Sequence, residues 1–232
     1  MRVDNSFAME KFVTGKILNA TAYSLYAIFA LLYFIPSFGL PHKICIPVFI
    51  LAVFSIGKTP WQITAALFFS ALGDLAGSFK SGFGDRALVF QILFFALGHI
   101  FYIFCFGNAV LRNKRDSNKQ NGLYACAALI LCAGIFIFTF TRVVPCVDVR
   151  FLKICVTCYA TIILTMLFSA LMTRDWIIGL GAALFVTSDL ILAWSMFVGA
   201  IPGDGYLIMI SYYAAQAIIA GRLIYRNRVF IR

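Results

Sequence analysis

Apolar residues in this chain come in long runs separated by short polar interruptions, near 17–35, 43–56, 61–79, 87–111, 123–141, 151–172, 176–198 and 206–225. Runs of about 20 apolar residues match the hydrocarbon thickness of a bilayer. They must be helical, because open strands would leave backbone groups unpaired in lipid. The pattern therefore predicts an all-α fold: a polytopic membrane protein, a bundle of about eight transmembrane helices forming one transmembrane domain over 1–232. The second run is the shortest. Turn sequences close it at both ends, Pro36-Ser37-Phe38-Gly39-Leu40-Pro41 before and Gly57-Lys58-Thr59-Pro60 after.

Composition sharpens this picture. Apolar residues make up 62% of the 232 and charged residues 12%, about half the charged share of a soluble domain. The net charge of +10 would suit nucleic acid, but the basic residues sit between or at the ends of the apolar runs, so nucleic acid is not an expected partner. Of 19 Lys and Arg, six lie at the odd connections (Lys43, Lys80, Arg86, Arg142, Arg150 and Lys153) and thirteen at the N-terminus, the even connections and the C-terminal end, including Arg112, Lys114, Arg115, Lys119, Arg226, Arg228 and Arg232. The positive-inside rule then puts both termini in the cytosol. Arg222, in the last turn of the eighth run, is expected to snorkel outward. The first run is long and follows Asp4 and Glu10, so it reads as a span and not as a cleavable signal. Seven cysteines, an odd number lying mostly inside apolar runs, do not form a secreted disulfide framework. Cys155 and Cys158 read as small packing residues.

Candidate chemistry lies in the few polar groups within the runs. A mid-membrane acid costs about 2.5–3.5 kcal/mol on insertion scales and is a functional candidate by default. Two stand well inside, Asp74 and Asp189, each ~20 Å from the cytosolic end at 1.5 Å per residue. Of two histidines, His99 lies mid-run and His42 in a connection. Gln216 lies at similar depth. His99 and Tyr102 share a helix face, as do Tyr212 and Gln216. Gly73 and Gly77 leave room beside Asp74 for a neighbouring helix. Ser188 and Tyr213 complete the candidate set. One cavity lined by Asp74, His99, Asp189 and Gln216 is expected, with Phe68, Phe94 and Phe95 as possible apolar walls. A single intramembrane histidine argues against a metal site, and no other cofactor is indicated. No GxSxG is present, and Gly82-Phe83-Gly84 reads as a turn. Ser70–Leu75 and Val186–Leu190 are faintly alike, as parallel repeats would be.

These residues carry a resemblance. Ser70-Ala71-Leu72-Gly73-Asp74, Gly98-His99-Ile100-Phe101-Tyr102 with Phe106-Gly107, Ser188-Asp189-Leu190 with Ala193 and Phe197, and Leu207–Gln216 follow one another in the order and spacing of the YhhN-like lysoplasmalogenase family. The chain resembles that family over roughly 43–220. It departs from the family pattern at Ser195 and Met196, where an Asn and a basic residue are usual. Lys43 and Pro47 also stand one residue further apart.

The resemblance implies a multi-pass enzyme of the endoplasmic reticulum membrane acting on a lysophospholipid within the bilayer. It would hydrolyse the vinyl ether bond of lysoplasmalogens to a fatty aldehyde and a glycerophospho-ethanolamine or -choline. Such a bond opens when a proton reaches the vinyl β-carbon. A buried, neutral carboxyl group can deliver it, while an ionised one steadies the cation and activates water. Asp74 and Asp189 are the expected catalytic pair. His99, Tyr102, Tyr212, Tyr213, Gln216 and Ser188 are the expected substrate- and water-positioning residues. The same residues also fit a proton-coupled transporter or a lipid-binding scaffold without chemistry. Aldehyde release in detergent separates these classes.

Overall fold

A computed structural model describes residues 19–35, 43–79, 82, 84–112 and 120–230, the last five of these and 120–121 by backbone alone. His42, Lys80, Phe83, Lys114, Arg115, Lys119, Arg232, the whole turn at 36–41 and the acids near the N-terminus lie outside the described residues. Among the described residues the chain is helical. Helix α1 spans 19–33, followed by α2 (Ile46–Ser55), α3 (Trp61–Ser78), α4 (Asp85–Arg112), α5 (Gln120–Arg142), a 3-10 turn (Val144–Cys146), α6 (Arg150–Met172), α7 (Trp176–Phe197) and α8 (Asp204–Phe230).

Five of these helices, α4 to α8, are long and apolar enough to cross a membrane. The outer surface is apolar as well. Leu123 and Ile130 on α5 are 79% and 71% exposed, and Leu31, Phe90, Phe104, Ile137 and Ile154 also face outward. A continuous apolar exterior of this kind requires lipid, so the protein is an integral membrane bundle. Helix α2 has ten residues, ~15 Å at the helical rise and about half the hydrocarbon core. Its start needs help with backbone pairing, since irregular chain at membrane depth must be covered by protein. Tyr213 Oη supplies it by donating to the Ile44 carbonyl at 2.8 Å, while Tyr26 Oη donates to the Tyr213 carbonyl at 2.6 Å.

Small residues set the closest helix pairs. A Cβ on Gly73 would stand 2.9 Å from the Phe95 ring, and one on Gly77 2.8 Å from the Gln91 amide. One on Gly98 would stand 3.1 Å from the Ala66 carbonyl oxygen, so α3 and α4 meet almost backbone to backbone. Gly181 does the same for α7 and α8, where a Cβ would stand 2.7 Å from Ile219 Cγ1. At one end of that pair Asp175 accepts from Ile177 N at 3.2 Å, capping α7, and from Arg222 Nε at 2.7 Å. Arg222 therefore pairs with Asp175 and does not snorkel: a partner one hydrogen bond away is reached at lower cost than the interface. Helix α5 packs chiefly on α6 and leaves much of its surface outside. This loose attachment opens a groove beside α4, α6 and α7.

The candidate site

The buried polar residues resolve into hydrogen-bonded units joined by aromatic rings. In the first unit Tyr212 of α8 donates to Asp74 Oδ2 of α3 at 2.8 Å. In the second, Tyr102 of α4 donates to Gln216 Oε1 of α8 at 2.7 Å. The third is a relay across three helices. His99 Nε2 of α4 lies 3.0 Å from Tyr159 Oη of α6, and Tyr159 donates to Asp189 Oδ2 of α7. Tyr159 has one hydroxyl proton and spends it on Asp189, so His99 must carry its proton on Nε2. Among the described residues, His99 Nδ1 is then a bare acceptor, buried without a partner, and Gln216 Nε2 is an unpartnered donor. Buried polar groups are nearly always paired, so these two orphans mark the layer as built for more than packing.

Phe185 and Phe95 stand between the units. The Phe185 ring is 4.6 Å from His99 and 5.3 Å from Tyr212, edge to face in both cases. Phe95 is 5.9 Å from Tyr212. Asp74, His99 and Gln216 are almost wholly buried, whereas Asp189 is half-buried.

Asp189 owes its exposure to a narrow groove between α4, α5, α6 and α7. Its walls are apolar, formed by residues such as Ile92, Phe95, Ile163, Val186 and Met196. Asp189, Tyr159, Gln91 and Thr139 are its polar points. Of Asp74, His99, Asp189 and Gln216, only Asp189 lines this groove. The bundle turns Asp74 and Gln216 inward toward α8 and α4, and Phe95 and Phe185 close the space between. Among the expected aromatic walls Phe95 lines it, while Phe68 and Phe94 face other lipid-side grooves.

The remaining expected residues have structural partners. Ser188 Oγ donates to the Ile208 carbonyl at 3.0 Å and ties α7 to α8. Tyr213, next in sequence to Tyr212, reaches a different neighbour and supports the start of α2. Tyr159, absent from the sequence-based set, is the joint of the relay. Its only signal in the sequence is a hydroxyl-bearing ring mid-run at the depth of Asp189. Among the described residues, no three His, Cys, Asp or Glu side chains form a ligand set, and no two cysteines form a disulfide.

Asp189 is thus held on Oδ2 by Tyr159 and borders the apolar groove. The YhhN family profile matches residues 40–223. The chain is 30% identical over 186 residues to lysoplasmalogenase TMEM86B of Rattus norvegicus, covering 76% of this chain and 67% of that protein. It is 31% identical over 181 residues to lysoplasmalogenase TMEM86B of Homo sapiens (75% and 71%). It is 29% identical over 195 residues to lysoplasmalogenase TMEM86A of Homo sapiens (76% and 74%). No solved structure matches the chain.

Proposed function

The chain belongs to the YhhN family, and we propose that it is a membrane-embedded lysoplasmalogenase, hydrolysing the vinyl ether bond of lysoplasmalogens in the endoplasmic reticulum. The observation that carries this reading is Asp189, fixed by Tyr159 and presented to an apolar groove. A one-chain lipid can lie in such a groove with its first chain carbons beside the carboxyl group.

Chemistry follows from that placement. Tyr159 occupies Oδ2, leaving Oδ1 of a protonated Asp189 to face the alkenyl chain. The proton passes from Oδ1 to the vinyl β-carbon, the double-bond electrons form the new C–H bond, and an oxocarbenium ion develops between the α-carbon and the ether oxygen. The carboxylate left behind stabilises this cation at contact distance. Asp74, held by Tyr212 on the other side of Phe95 and Phe185, does not line the groove and acts on Asp189 only at a distance. Water adds to the α-carbon and returns a proton to Asp189. The hemiacetal then collapses: its hydroxyl proton goes to the glycerol oxygen as that C–O bond breaks, releasing the aldehyde and the glycerophospho-base. His99, with its free Nδ1, and Gln216, with its free Nε2, are the groups available to hold water in this layer.

Purified protein in detergent, given an alkenyl lysophospholipid, should release fatty aldehyde, and Asp189→Asn should release almost none while eluting as a folded protein. Asp74→Asn should lose less than Asp189→Asn, because it acts through its field and not by contact. Wild-type protein that releases no aldehyde would refute the assignment and return a transporter or a lipid scaffold to first place.

A further inference from the structure

Gln91 is a polar side chain in an apolar wall. It lies on the α4 face that carries Phe95 and His99, two turns and ~12 Å before His99, and it lines the groove. Among the described residues, none hydrogen-bonds its amide. An uncharged amide left without a partner in lipid costs free energy, so its presence there calls for a polar occupant. Its position is also made deliberately. Gly77, one turn beyond Asp74 on α3, has no side chain where the Gln91 amide rests, and a Cβ there would stand 2.8 Å from the Gln91 Cδ, Oε1 and Nε2 atoms.

The groove has an arm long enough for the glycerophosphate beyond the reacting carboxyl. From Asp189 it continues along α7 past Ala193 and Met196 to Phe197, eight residues or ~12 Å. In a lysoplasmalogen five bonds separate the ether oxygen from phosphorus, a reach of about 6 Å with bonds of about 1.5 Å. That arm runs toward the end of the bundle where α4 begins and α7 ends. There Arg142 stands three residues past the groove residue Thr139, and Lys153 three residues before the groove residue Val156. Apolar walls lie in the other direction, at Ile163, Leu164 and Ile135, where the hydrocarbon tail would go.

We propose that Gln91 is the headgroup-positioning residue of the groove, donating its amide to the phosphate oxygens of the substrate while Asp189 meets the vinyl ether. The inference rests on the lysoplasmalogenase reading above and adds to it which end of the groove takes the polar part. Binding at a point remote from the reacting bond is felt in KM and leaves kcat nearly unchanged.

Two substrates test it, 1-alkenyl-glycerophosphoethanolamine and 1-alkenyl-glycerol, which lacks the phosphate. Gln91→Leu should raise KM for the phospholipid about tenfold, as expected for a lost hydrogen bond to a charged group, with kcat within twofold and KM for the alkenyl-glycerol much less affected. Gly77→Ala should shift KM in the same direction by displacing the amide, and it serves if Gln91→Leu does not fold. Gln91→Glu, which sets a carboxylate against the phosphate, should raise the phospholipid KM further. Equal changes for both substrates, or no change in either, would overturn the role of Gln91. A wild-type protein inactive on both would instead overturn the underlying assignment, so the two failures are distinguishable.

Discussion

Tyr159→Phe is the most informative single change, because it removes one oxygen atom and leaves the ring that packs near His99, 5.7 Å between centroids. That oxygen serves two partners. His99 Nε2, on a side chain 1% exposed, loses its acceptor, a desolvation cost of about 1–3 kcal/mol. Asp189 Oδ2 loses its donor, but it borders the groove and is half-buried, so its structural cost lies toward the lower end of that range. The catalytic effect is separate from the structural one. A hydrogen bond to an ionised group contributes about 1.5–3 kcal/mol. Asp189 becomes a carboxylate only as the proton leaves it, so that contribution is realised in the transition state. At 1.36 kcal/mol per factor of ten, kcat should fall between about tenfold and about a hundredfold, with KM little changed. Aldehyde release in detergent, followed across substrate concentrations, measures both. Thermal unfolding of the same sample measures the stability loss. In a Tyr159→Phe background, His99→Leu should add little to the loss of kcat, because the relay is already cut. A Tyr159→Phe protein that keeps kcat within twofold of wild type would refute the relay as a catalytic element and leave it a packing contact.

Three further expectations are open to direct measurement. Arg222→Leu should destabilise the protein by about 1–3 kcal/mol, since it strands an Asp175 side chain that is 5% exposed, with the pair's partial exposure keeping the loss below that of a fully buried one. A thermal midpoint unchanged in detergent would show the pair to be dispensable. Activity should survive prolonged exposure to a strong chelator, because His99 Nε2 is already engaged by Tyr159; loss reversed by added zinc would argue for a metal. Tags at both termini should react with antibody once the plasma membrane alone is permeabilised, as the thirteen-to-six division of basic residues requires, and a luminal tag would reverse the assigned orientation.

Free energies of transfer made part of this protein readable from its sequence. Apolar runs of bilayer length admit only helices, and a carboxylate or imidazole in lipid is too costly to be incidental. Asp74, His99, Asp189 and Gln216 could therefore be singled out one by one, along with their shared depth, because depth follows from residue number at a fixed rise. Partnership could not be read in the same way. Successive residues on a helix point about 100° apart, so Tyr212 reaches Asp74 while Tyr213 reaches the start of α2. Which direction faces which neighbour depends on how each helix is rotated in the bundle. That rotation comes from packing: Gly73, Gly77 and Gly98 draw α3 onto α4, Gly181 draws α7 onto α8, and α5 is left loose enough to open the groove. These contacts join residues distant along the chain, and no local period records them. Tyr159 was hidden for that reason. By itself it is one more membrane tyrosine, and it becomes part of the site only when α4 and α7 bring His99 and Asp189 to its two sides.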